Sequence, residues 1–114
     1  MHYTDFPEAP ASVTVLCEID DIADGLHSAC LGGFAYLVLD SANGPRAYVN
    51  ACPHQFLPLD HRGDQVIGAD GRLLCTNHNA AFDAQTGEGV DGFGLGCALV
   101  AIPLRREGKR LLVA

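Results

Sequence analysis

The chain has no tryptophan, one methionine and only seven basic residues in 114. Against 14 acidic side chains, those seven leave a formal charge of −7. With no surplus of Lys or Arg to neutralise phosphates, nucleic-acid binding and attachment to an anionic membrane surface are both excluded as electrostatic functions. No apolar run approaches the ~20 residues needed to span a bilayer. The start, MHYTDFPEAP, lacks the basic-then-apolar order of a signal peptide, so a cytoplasmic location is expected. Internal repeats and low-complexity tracts are missing too. The five cysteines (Cys17, Cys30, Cys52, Cys75 and Cys97) are odd in number and widely spread, which does not fit a disulfide framework.

What is present suits a small folded domain. A hydrophobic fraction of 48% with a mean hydropathy of +0.14 separates the chain from disordered sequences. The length allows one domain and one core, a size at which a metal site commonly supplements a thin interior. The acidic balance suits docking to a basic protein surface through electrostatic steering.

Residues 1–12, with Asp5, Pro7, Glu8 and Pro10 in quick succession, read as a loose N-terminal arm, and residues 13–114 as the domain. Residues 13–19 are β-branched enough for a strand, and 20–25 form a turn or short helical turn. The run FAYLVL at 34–39 is of strand length. Asn43-Gly44 is a hairpin signal and RAYVN at 46–50 is the returning strand. Brief strands follow at 65–67, 72–75 and 81–83, with turns at Asp70-Gly71 and Thr86-Gly87. A glycine-dense stretch at 87–96 leads into strands at 98–104 and 110–113, joined by a turn at Glu107-Gly108. No segment sustains helical periodicity. Many short strands at close spacing predict an all-β, antiparallel sandwich or barrel.

Two short clusters carry the chemistry: Cys52-Pro53-His54 and Cys75-Thr76-Asn77-His78. Each offers one thiolate and one imidazole, each directly follows an expected strand, and 20 residues separate them. Two hairpin tips on a rigid sheet would present all four ligands to one point. A [2Fe–2S] centre in which two His replace two Cys on one iron takes this donor set. Two ferric ions, two sulfides and two thiolates sum to about zero with neutral imidazoles, so adding an electron is easier than on a four-thiolate centre. A structural zinc module is the alternative, since two Cys and two His also suit tetrahedral zinc. Zinc sites usually group like ligands, whereas each half here is mixed.

The pattern C-x-H-x20-C-x-x-H, set in NACPHQFLPLD and GRLLCTNHNAAFDAQTGEGV, resembles the Rieske [2Fe–2S] family and its ferredoxin-like members over residues 13–112. The resemblance implies a Rieske-like β fold with two cluster-binding loops and one [2Fe–2S] cluster. Cys52 and Cys75 would hold the inner iron, and His54 and His78 the outer, more exposed one. It also implies a one-electron carrier rather than a catalyst, with a flavin reductase as donor and an oxygenase as acceptor. A small Rieske subunit of a larger oxidoreductase, of the nitrite-reductase type, is the other role the family offers. High-potential members carry an extra disulfide, for which Leu57 and Asn77 stand here. They also aim Ser and Tyr hydroxyls at the cluster sulfurs, where this chain has Ala80 and Phe82. Asn79 replaces a usual glycine, and the third loop over the cluster would fall at 91–96, glycine-rich and without proline.

Of the remaining candidates, His61 reads as an exposed loop residue, and His2 and His27 have no supporting context. Cys17, Cys30 and Cys97 read as small buried hydrophobes. Asp40, Asp60 and Asp83 read as salt links or turn caps. The glycines of GFGLG at 92–96 lack the strand–helix setting of a nucleotide loop.

Overall fold

The run FAYLVL has no polar alternation because both of its faces are covered. A computed structural model describes residues 2–23, 25–41, 44–52, 58–60, 66–68, 72–76, 80–92 and 95–114. In chain order its strands are β1 (Val15–Glu18), β2 (Leu26–Leu31), β3 (Phe34–Ser41), β4 (Gly44–Val49), β5 (Leu73–Cys75), β6 (Ala80–Phe82), β7 (Gly89–Gly92), β8 (Ala101–Ile102), β9 (Leu104–Glu107) and β10 (Arg110–Val113). They form three antiparallel sheets, β1-β10-β9, β2-β3-β4-β8 and β5-β6-β7. Short 3₁₀ turns lie at Tyr3–Asp5 and Ile19–Ile22. Among the described residues there is no α-helix, and no helix is long and apolar enough to cross a membrane.

Side chains alternate across a strand, and β3 uses the alternation to serve two cores. Phe34, Tyr36 and Val38, with Ala47 and Val49 of β4, join Leu16, Ile22, Leu111 and Val113 in one apolar cluster. Leu37 and Leu39, with Tyr48 of β4, join Leu59, Val66, Leu73 and Phe82 in another. The four-stranded sheet is thus the middle layer, with the sheet carrying the chain's end on one face and β5-β6-β7 on the other. Each fully buried large side chain contributes about 1.5–3 kcal/mol, and Leu37, Leu59, Leu73 and Phe82 are all completely covered.

The expected all-β architecture is therefore what the chain adopts, with several local differences. The N-terminal segment is not loose. Tyr3 is buried in the first core, the Phe6 ring meets Phe34 edge-on at 6.5 Å, and the Glu8 carboxylate accepts a bond from the Gly33 N–H. Strand β2 was not expected, because LHSACL carries only a weak apolar pattern; it forms by pairing along its whole length with β3. The 98–104 segment is not one strand. Ala98 bridges Glu88, β8 is two residues long, and Pro103, which has no N–H to donate, separates it from β9. Part of the glycine-dense stretch pairs with β6 as β7, on a bulge between Ala81 and Phe82. The turn residues at 42–43 and 69–71 lie outside the described residues.

The segment Phe82-Asp83-Ala84-Gln85-Thr86-Gly87 holds its turn by its own side chains. One Asp83 carboxylate oxygen accepts from the N–H groups of Gln85 (2.7 Å) and Thr86 (3.2 Å), closing the turn after β6. Gly87 follows at φ +79°, and a Cβ there would lie 2.8 Å from the Tyr48 ring. The turn therefore needs glycine both for its backbone and for its clearance over the second core.

Candidate metal centre

Cys52 and Cys75 belong to the same apolar cluster on the outer face of β3–β4. They are 1% and 4% exposed. Cys52 follows the end of β4 by three residues, and Cys75 is the last residue of β5, held opposite Ala80 of β6. Around them the cluster is lined by Leu59, Val66, Leu73, Ala80, Phe82 and Tyr48. His54 and His78 lie outside the described residues, as do His61, Leu57, Asn77 and Asn79. The structure thus places the two expected thiol ligands in one buried apolar cluster.

None of the five cysteines is in a disulfide. Two soft sulfur donors on separate segments, one just beyond β4 and one at the end of β5, both buried among apolar side chains, suit an iron–sulfide group. Cys17 is buried in the first core, as expected, and its thiol is pushed up to about 11 by burial and then by the Asp21 carboxylate. Cys30 and Cys97 differ from expectation in being exposed; each sits on a short or edge segment with one face to solvent.

Sequence reading missed a polar network at the base of the site. Asn50 is the one buried polar or charged residue among the described residues. Its Oδ1 accepts from the Leu59 N–H at 2.8 Å and its Nδ2 donates to Asp60 Oδ1 at 3.0 Å. The Ser28 hydroxyl on β2 donates to the other Asp60 oxygen at 2.9 Å. The Leu59 carbonyl accepts from both the N–H (2.8 Å) and the hydroxyl (2.5 Å) of Thr76, the residue after Cys75. Asp60 thus anchors a buried amide. Proximity to the motif could have raised Asn50 and Thr76, but nothing local points to Ser28, 32 residues from its partner.

Tyr48 brings a hydroxyl into this core. It donates to the Ala84 carbonyl at 2.8 Å. Burial pushes its pKa from 10.0 up to about 12, with the Arg46 guanidinium opposing and the Asp83 carboxylate adding. An acid whose pKa is higher in the folded state stabilises fully below its unfolded value, and that contribution is lost as pH rises through the folded one. Stability should therefore fall between pH ~10 and ~12. The hydroxyl end reaches half-exposed Ala84, so solvent screening trims the Tyr48 share to about 1–2 kcal/mol. Tyr48→Phe should be about 1 kcal/mol less stable at pH 7 for the lost bond, yet show a flatter alkaline slope. Urea unfolding across that pH range reads both, and an unchanged slope would remove Tyr48 from the account.

A family model for the Rieske [2Fe-2S] domain matches residues 12–97. No curated protein matches the chain closely enough to count as a relative. Among solved structures, the fold is similar to the ferredoxin of carbazole 1,9a-dioxygenase from Nocardioides aromaticivorans IC177. The TM-score is 0.72 at 21% identity, over 91% of this chain and 98% of that one. A ferredoxin of Sphingomonas yanoikuyae B1 gives 0.68 at 20% identity, over 89% and 96%. A protein described as the small subunit of an NADPH nitrite reductase gives 0.66 at 14% identity, over 91% and 99%. At these identities the likeness establishes the fold.

Proposed function

Since the chain belongs to the Rieske [2Fe–2S] family, we propose that it is a one-electron carrier whose single cluster is held by Cys52, His54, Cys75 and His78. The observation that carries the reading is the burial of Cys52 and Cys75 together in one core, one three residues beyond β4 and the other closing β5. When bound, the cluster supplies a site that takes up and releases one electron without making or breaking a bond in the protein. The chain's own residues do the rest. The two thiolates anchor the group on its buried side, and the apolar lining of Leu59, Leu73 and Phe82 keeps water from that side. His54 and His78, on the loops beyond, would hold the outer iron and give the electron its way out.

The partners we propose are a flavin reductase as donor and an oxygenase as acceptor, each presenting a basic patch to a chain of charge −7. The likeness to two ferredoxins, at higher TM-score and identity than to the nitrite-reductase small subunit, favours a free carrier over a fixed subunit. Co-purification with a large oxidoreductase subunit would favour the latter.

The test is an assay of iron and acid-labile sulfide with EPR of the reduced protein. Equal iron and sulfide with a rhombic signal of low average g supports the reading; a colourless protein with zinc in their place sinks it. Ala80 lies opposite Cys75 and Phe82 is fully buried in the same core, and neither side chain can donate to a sulfur. Such donors stabilise the reduced state, so the potential should fall near the low end of the Rieske range, about −150 mV rather than +300 mV. A redox titration above about +100 mV on that range would contradict it.

A further inference from the structure

We propose that Asn50 is a positioning residue, anchored by Asp60, that sets the spacing of the Cys52 and Cys75 thiolates through Leu59. The inference rests on the reading of those two cysteines as ligands and deepens it. The chain leaves β4 at Val49, and the Asn50 N–H is fixed to the Ala35 carbonyl of β3 at 3.0 Å. From that fixed point its side chain reaches the Leu59 N–H, nine residues further along the chain. The Leu59 carbonyl in turn receives both bonds from Thr76. Leu59 is therefore the shared rivet. Its N–H is held two residues before Cys52 and its carbonyl one residue after Cys75.

Asp60 makes the amide's orientation unique. Asn50 Nδ2 donates to one of its oxygens and Ser28 of β2 to the other, so the Asn50 oxygen, not its nitrogen, must face Leu59. Asn50 itself is 5% exposed, so its bonds to Leu59 and Asp60 are shielded from water, while the Ser28–Asp60 bond lies at the surface. A buried amide with both ends satisfied in this way specifies one geometry, and here that geometry joins β2, β3 and the segments that carry Cys52 and Cys75.

An exchange of side chains tests the idea in the purified, cluster-loaded protein. Asn50→Asp sets two carboxylates against each other. Adding Asp60→Asn restores one carboxylate and one amide with the places swapped, and the new aspartate can still accept from Leu59. Asn50→Asp should release iron to a chelator roughly 10–100-fold faster, the range typical for residues that orient metal ligands, and should broaden the reduced EPR signal. The swap should bring both back toward wild type, which general destabilisation would not do. Leu59 amide hydrogen exchange, faster in Asn50→Ala than in wild type, reads the clasp without the metal and serves if Asn50→Asp folds poorly. Wild-type protein with no iron overturns the ligand reading. Wild-type protein with iron, but with iron release and EPR unmoved by Asn50→Asp, or with no rescue in the swap, overturns the clasp alone.

Discussion

Cys75→Ser is expected to abolish the visible colour and the reduced-state EPR signal while the first core stays folded. Serine copies the size of cysteine but offers a hard oxygen that remains protonated at neutral pH, where iron bound to sulfide prefers a soft thiolate. Cys75 is fixed at the end of β5 by its register with Ala80 and is 4% exposed, so no neighbouring thiol can move in to replace it. The loss of iron affinity should exceed the roughly 100-fold upper figure for residues that merely support a ligand. Cys52→Ser should do the same. Cys30→Ser and Cys97→Ser, at exposed positions, should leave iron and signal intact. Because metal binding is coupled to folding, thermal stability should drop as well. The drop should be felt first in the core containing Leu59, Leu73 and Phe82 rather than in that of Leu16, Leu111 and Val113. Iron analysis and EPR of the four single variants decide the matter; colour retained in Cys75→Ser would remove it from the ligand set.

The strands that the sequence made legible are those with local evidence. FAYLVL and RAYV are long apolar runs on either side of a turn, and they pair as β3 and β4 down to Ser41 and Gly44. RLLV at the chain's end is the same kind of signal and forms β10. Strand β2 escaped because its stability lies in its partner: half of LHSACL is polar or small, and only the β3 edge makes it a strand. The N-terminal segment escaped for a related reason. Its prolines and charges look like a tail, yet Tyr3 and Phe6 are spaced to bury one ring and dock another.

For the metal centre, legibility divides along the same line. Ligand chemistry is local, so a thiol and an imidazole one or two residues apart can be recognised without knowing the fold. The support of those ligands is not local. Asn50, Asp60 and Ser28 meet from three different segments, and no spacing rule links them. The position of Phe82 is intermediate. Its identity could be compared with the family's tyrosine, but only the fold reveals that it is completely enclosed, opposite Leu73 and in one core with both cysteines.

That enclosure gives the largest stability effect expected from a single substitution. Phe82→Ala removes a ring at 0% exposure from the core between the β5-β6-β7 sheet and the middle sheet. The cost of such a truncation is about 3–5 kcal/mol, combining lost transfer energy with the cavity left behind. A domain of this size has a total stability of about 5–15 kcal/mol, so the variant should be marginal at best. The site of the damage matters more than its size. Leu111→Ala empties a comparable position in the opposite core and should cost about 2–5 kcal/mol, but that core contains neither Cys52 nor Cys75. Phe82→Ala should therefore lose iron under conditions where Leu111→Ala, equally destabilised by urea, keeps its EPR signal. Equal iron loss in both variants would mean that the two cores melt as one unit and that the middle sheet does not insulate the metal centre from the far side of the protein.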